Sequence, residues 1–197
     1  MSDQSWNSPE HALAYGRALL AGDAVRLRPT TDEDLPTLAT WWATPEWAPL
    51  QQGIVKPRPA GPVVKMFRSW SQNAPGELGA GFSIVLADTD QLIGHAVLHG
   101  ANHPTRIATY AVIIGPDHIG QGHGTDATRL MVRYGFQELG VHKIELRVWS
   151  YNQRALRSYT KAGFVREGVR RAAAFHAGVF HDEVLMGILA EEYVTPG

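Results

Sequence analysis

Between an apolar run, Thr105–Ile114, and an amphipathic segment lies His118-Ile-Gly-Gln-Gly-His-Gly-Thr125, with glycines at alternate positions. A stretch of this kind forces a strand to turn sharply and enter a helix. Its glycines let successive backbone N–H groups point into one concavity, and the positive end of the following helix adds to that field. Such a turn suits a phosphate or pyrophosphate; without a ligand it is simply a tight strand-to-helix turn. Gly120, Gly122 and Gly124 do not match the dinucleotide fingerprint G-x-G-x-x-G, and the chain has no G-x-x-x-x-G-K-[ST] loop.

The surrounding pattern places this turn inside a mixed α and β domain. Ser8–Leu20 opens with a Ser cap and a Pro at the first helical position, which predicts a short N-terminal helix. Ala24–Arg28 alternates as a strand. Thr30 or Thr31 is placed to cap a helix that carries Leu35, Leu38, Trp41 and Trp42. Five of the chain's twelve prolines fall in 44–63, which marks an irregular excursion of the sort that covers sites, with a helix resuming over 63–72. Phe82–Ala87 and Leu92–His99 read as a hairpin about Asp88–Gln91, and Thr105–Ile114 as the next strand. The segment after the glycines repeats apolar residues at Ala127, Leu130, Met131, Tyr134 and Leu139, a helical period ended by Gly140. His142–Trp149 is a strand, Asn152–Lys161 a short helix, and Phe164–Phe175 and Val179–Leu189 a closing hairpin. So many consecutive strands exclude a simple doubly wound parallel sheet and predict an α/β (mixed α+β) fold.

Composition narrows the function. The 197 residues carry 18 Lys+Arg against 19 Asp+Glu, a net charge of −1, which gives no electrostatic case for a nucleic-acid binder. With no cysteine there is no disulfide, no thiolate metal site and no Cys nucleophile. Nine histidines include no H-x-x-x-H or H-E-x-x-H pair on a helix, so no metal site is expected. Met1–Glu10 shows no secretory pattern, and no apolar run is long enough for a membrane span, so a soluble cytoplasmic protein is expected. The domain reading is an N-terminal helical extension over 1–22 and a single domain over 23–197.

After the next strand comes Asn152-Gln-Arg-Ala-Leu-Arg-Ser-Tyr-Thr-Lys-Ala-Gly-Phe164. With the glycine turn, this segment resembles the GNAT acyl-CoA N-acyltransferase superfamily, and within it the RimJ/RimL-like branch. The family's loop [RQ]-x-x-G-x-[GA] falls on Ile119–Gly124, and its Asn–helix–Gly-Phe segment is matched by Asn152, Ala155, Tyr159, Gly163 and Phe164. Thr31-Asp-Glu-Asp-Leu35 is similar to the family's first helix. The resemblance implies a central, mostly antiparallel mixed sheet with a V-shaped splay, flanked by helices.

It further implies that the amides of Gln121, Gly122, His123, Gly124 and Thr125 clamp the pyrophosphate of acetyl-CoA. The backbone of Ile113 and Ile114 would run beside the pantetheine, with Asn152 reaching it or capping the next helix. Tyr159 would be the general acid for the leaving CoA thiolate; a phenol of pKa near ~10 can supply that proton at neutral pH. Arg154, Arg157 and Lys161 are candidates for the CoA phosphates. The implied reaction is transfer of an acetyl group to a primary amine by direct attack in a ternary complex. The acceptor is a small molecule or a protein N-terminus, and similar proteins are commonly homodimers.

Two departures stand out. The loop's leading Arg or Gln is Ile119 here, and the carboxylate that many RimJ/RimL-like proteins carry before the loop is replaced by Thr109. Glu145 is then a weak candidate base, with His99, His118 and His176 behind it. Trp41, Trp42 and Trp47 are candidate walls of the acceptor site, or else core fillers beneath the proline-rich segment. Only Glu46 is acidic in 44–63, which argues against a polycationic acceptor. The rival reading is a non-catalytic acyl-CoA-binding or sensing module; a nucleotide-binding protein using the same turn ranks last.

Overall fold

The computed structural model describes residues 8–193. Most of the Met1–Glu10 segment, on which the absence of a leader was read, lies outside that range, as do 194–197. Six helices and seven strands follow in the order α1 (Pro9–Leu19), β1 (Val25–Arg28), α2 (Leu35–Ala43), α3 (Ala48–Gln51), α4 (Ala60–Trp70), β2 (Leu78–Leu86), β3 (Leu92–Ala101), β4 (Ile107–Ile114), α5 (His123–Gln137), β5 (Lys143–Trp149), α6 (Gln153–Lys161), β6 (Val165–His176) and β7 (Val179–Leu189). Among the described residues no helix is long and apolar enough to cross a membrane.

The strands form one sheet in the order β1-β2-β3-β4-β5-β7-β6. Four consecutive strands make an antiparallel meander, and β5, β7 and β6 make a second antiparallel block. The two blocks join through one parallel pairing, β4 with β5, because α5 returns the chain to the start of the next strand.

Each face of the sheet is covered by its own helices. Ala127, Leu130 and Met131 of α5 pack with Ile84, Leu98, Tyr110, Ile144 and Met186 in the larger core, and Ala155, Leu156 and Tyr159 of α6 lie against it. On the opposite face Leu35, Leu38 and Ala39 of α2 and Val63 and Phe67 of α4 pack over Ile113. Burial of this apolar surface, at roughly 25 cal/mol per Å2, is the main force holding the helices down.

Most expected elements occur, with shifted ends. Helix α2 begins at Leu35, not beside Thr30 or Thr31, because Asp34 is drawn into a buried polar cluster. Its carboxylate takes two hydrogen bonds from Arg28, at 2.7 and 2.9 Å, one from the Thr31 amide at 2.9 Å and one from Ser83 at 2.8 Å. Helix α4 starts at Ala60 and ends at Trp70, ahead of the expected 63–72. Helix α5 starts at His123, since Gly122 at φ +89° turns the chain into the helix earlier than the periodicity suggests. Ser8 caps α1 as expected. That helix buries none of its residues, yet lies along α5, where Arg133 donates to the carbonyls of Ala18, Leu19 and Ala21.

Candidate active site

The parallel pairing of β4 with β5 covers only Ile107↔Lys143, Ala108↔Ile144 and Thr109↔Glu145. Beyond Thr109, β4 stays paired with β3 as far as Ile114, and beyond Glu145, β5 stays paired with β7 as far as Trp149. The two strands therefore part into a V, and each presents an unpaired edge to the gap. A cleft of about 480 Å3 occupies it. Val112, Ile113 and Ile114 line one wall, and Asn152, Ala155, Ser158 and Tyr159 the other.

The glycine turn sits at the mouth. Gly120 and Gly122 hold φ of +80° and +89°, a region that L side chains rarely adopt. The Thr125 amide bonds to the Gly122 carbonyl at 2.9 Å, which leaves the amides just ahead of it as the first-turn N–H groups with no intrahelical partner, and Gly120, Gly122, Gly124 and Thr125 line the cleft at that end of α5. The one acid in the first turn, Asp126, faces away and accepts from the amides of Ala24 and Val25 at 2.8 and 3.1 Å. The Thr125 and Ser158 hydroxyls, 2.7 Å apart, tie α5 to α6. Arg154, Arg157 and Lys161 of α6 add three cations to the lining. An orphaned set of amides, an open strand edge and these cations fit an elongated, phosphate-bearing ligand with a hydrogen-bonding arm.

Tyr159 is partly buried, and burial pushes its phenol pKa up to about 12. Its ring lies edge-on to Tyr110 at 6.2 Å and against Phe164 at 6.1 Å. Tyr110, whose phenol burial also raises, shares a 3.1 Å hydrogen bond with Thr128, and Thr128 donates to the Gly124 carbonyl at 2.6 Å. One aromatic and hydroxyl chain thus connects Tyr159 to the glycine turn.

The proline-rich segment straps the V. Trp41, at the end of α2, packs so closely on Gly115, just past β4, that a Cβ there would meet its ring at 2.6 Å. On the other arm Tyr151, just past β5, donates its hydroxyl to the Pro49 carbonyl, and Gly53 lies against the Trp149 ring. Between these anchors Trp47, Leu50 and Gln51 face the cleft.

Of the residues singled out in the sequence, Ile113, Ile114, Gly122, Gly124, Thr125, Asn152, Tyr159 and Trp47 line the cleft together. Asn152 also caps α6, accepting from the Ala155 amide at 3.2 Å. The side chains of Gln121 and His123 turn elsewhere: Gln121 donates to the Asp117 carbonyl, and His123 is buried against the His118 carbonyl. Trp42 sits in an aromatic cluster with Phe67 and Trp70, at centroid distances of 6.0 and 5.9 Å, and so fills the second core. Glu145 stands at the vertex of the V but not among the lining residues. His118 lines the cleft, His99 stacks on Trp70, and His176 packs edge-on to Tyr151. Sequence reasoning missed Ser158, Leu50 and Gln51. Ser158 was readable as the neighbour of Tyr159, whereas nothing local marked the other two.

A mixed sheet split between two parallel strands, with a glycine-opened helix at the split, defines the acyltransferase class of α/β fold. Residues 24–165 match the family described as acetyltransferase (GNAT) domain, and the chain belongs to that family. It is 36% identical over 112 residues to the probable N-acetyltransferase YjcK of Bacillus subtilis, a match covering 55% of this chain and 60% of that one. It is 35% identical over 100 residues to the spermidine N(1)-acetyltransferase of Escherichia coli, covering 49% and 54%. These matches thus span little more than half the length of the two curated relatives. The structure superposes on the Vibrio cholerae spermidine N-acetyltransferase in complex with CoA and spermine with TM-score 0.75 and 25% identity, over 85% of this chain and 96% of that one.

Proposed function

We propose that the chain is an acetyl-CoA-dependent N-acetyltransferase acting on a primary amine in a ternary complex. The observation that carries this is that Tyr159 lines the β4–β5 split together with the glycine-opened start of α5. The pyrophosphate is held by the amides from Gln121 to Gly124, the pantetheine by the open edge of β4 around Ile113 and Ile114 and by Asn152, and the remaining phosphate charge by Arg154, Arg157 and Lys161.

The amine nitrogen attacks the thioester carbon and a tetrahedral oxyanion forms. The C–S bond then breaks, and the thiolate takes the Tyr159 proton. The nitrogen gives up its own proton to water entering the mouth of the V, and solvent reprotonates Tyr159. Positioning of the two substrates and polarisation of the thioester supply most of the acceleration.

The finer reading is a RimJ/RimL-like enzyme of the cytoplasm. It rests on Thr31–Leu35 and Asn152–Phe164. A homodimer would use edge strand β6 and its hairpin, where Phe175, Val179 and Phe180 are exposed.

A second reading, an acyl-CoA-binding module without turnover, is favoured by one observation: among the described residues no carboxylate lines the cleft. Calorimetric titration with acetyl-CoA, CoA and ATP, followed by CoA release in the presence of amines, separates the two. Acetyl-CoA binding without ATP binding, together with amine-dependent CoA release, supports the enzyme. Binding with no release for any amine supports the module, and no binding of either CoA species removes both.

A further inference from the structure

The charge along the cleft is segregated. Arg154, Arg157 and Lys161 stand on α6, next to the glycine-opened end of α5, where a phosphate-bearing ligand takes them up. Where the strap crosses, the lining is Trp47, Leu50 and Gln51, and among the described lining residues there is no Asp or Glu. The only acid of the strap, Glu46, is exposed and absent from that lining. Gln51 adds only a neutral amide to this stretch of the lining.

We infer that the strap forms the acceptor subsite and that it takes a primary amine with a single positive charge on an otherwise apolar, flat body, not a polyamine. The inference rests on the acyl-transfer reading above. The reacting nitrogen must arrive neutral, so a monoamine leaves no charge behind once it has lost its proton. A polyamine keeps one or more ammonium groups, which would have to leave water for a subsite that offers an indole, a leucine and one amide. Without a carboxylate to meet it, that second charge is penalised by desolvation. The Trp47 ring and Leu50 instead reward an apolar body. This chain therefore parts in acceptor from the spermidine acetyltransferases it is similar to.

The test compares phenethylamine with spermidine by CoA release at saturating acetyl-CoA, with acetyl-CoA binding measured on the same sample by calorimetry. The expected kcat/KM for phenethylamine is at least about tenfold above that for spermidine. Gln51→Glu, which supplies the missing carboxylate, is expected to raise kcat/KM for spermidine about tenfold and to lower that for phenethylamine. Spermidine turned over as well as phenethylamine, or no turnover of phenethylamine, overturns the inference. Retained acetyl-CoA binding in that case leaves the acyltransferase reading standing, and absent binding removes both.

Discussion

Thr109 of β4 and Glu145 of β5 are the last partners across the parallel junction, and they point to the same face of the sheet as the residues beneath α2 and α4. A carboxylate at position 109 would open toward the acceptor side; the carboxylate present is one strand away, at the vertex. Glu145→Gln is therefore expected to lower kcat/KM less than about tenfold, well below the ~100-fold loss of a general base. Raising the pH should recover it, because a larger fraction of the amine is then already neutral. Steady-state kinetics across pH check this, and a loss of ~100-fold that pH does not restore would make Glu145 the base.

Tyr159→Phe keeps the ring that packs on Tyr110 and Phe164 but removes the proton. Loss of a general acid predicts a fall in kcat of about 100-fold or more, with the KM for acetyl-CoA little changed. Burial raises this phenol to about 12, so it stays protonated through neutral and mildly alkaline pH. The rate should show no alkaline decline from Tyr159 until pH approaches that value. An unchanged kcat in the Phe variant would show that the thiolate needs no proton from this residue.

Gly122 is the N-cap of α5 in a left-handed conformation, with open space where a Cβ would stand. Gly122→Ala is thus strained by backbone conformation alone, at a cost of about 1 kcal/mol. Any relaxation turns the first-turn amides away from the cleft. The expected result is a small drop in stability with a rise in the acetyl-CoA dissociation constant of at least about tenfold. Calorimetry beside thermal unfolding separates the two effects. Unchanged affinity would mean that these amides do not hold the ligand.

Acid should destabilise the fold in two steps. His95 is buried against Phe67 and Trp70, with its Nε2 2.8 Å from the Ser71 hydroxyl. Burial lowers its pKa from 6.5 to about 4, so the folded state holds it neutral. The stability it contributes is full above its unfolded value and is lost as pH falls through about 4. For Asp34, burial raises the pKa, but the hydrogen bonds from Arg28, the Thr31 amide and Ser83 outweigh it and hold the carboxyl at about 2. Its contribution is present above 3.8 and lost as pH falls through about 2. Urea midpoints measured against pH should therefore slope in both windows. Asp34→Asn should flatten the lower one and cost about 2 kcal/mol at neutral pH, since Arg28 keeps Asp90 at 3.5 Å and the Pro29 carbonyl at 3.0 Å but loses its paired hydrogen bonds. A profile flat between pH 6.5 and 4 would contradict a neutral His95.

The elements were legible because period and punctuation are local. The helix that follows the glycines, though it ends at Gln137 and not at Gly140, and the turn around His176–Gly178 need only neighbouring residues to be recognised. The core role of Trp42 and the cleft role of Trp47 were not distinguishable, since that depends on α2 ending at Ala43 and the chain turning between the two. The strap was equally hidden. Proline spacing marks an irregular segment, but the contact of Tyr151 with Pro49 joins residues 102 positions apart. The same is true of the Thr125–Ser158 pair, which local pattern cannot register.

That long-range contact is itself testable. On the β5 side the strap is held by the Tyr151 hydroxyl, which donates to Pro49, and by the Trp149 ring against Gly53. Tyr151→Phe retains the edge-on packing against His181, at 4.8 Å, and removes only the hydrogen bond. Global stability should fall by about 1 kcal/mol, the usual net worth of one such bond. Because the strap carries Trp47, Leu50 and Gln51 to the cleft, the KM for the amine should rise several-fold while acetyl-CoA affinity holds. Hydrogen exchange should quicken at the Gln52 amide, which bonds to Ala48 at 2.7 Å, and not at the Thr125 or Asp126 amides of α5, which bond to Gly122. Equal loss of affinity for both substrates would mean instead that Tyr151 holds the two arms of the V at their spacing.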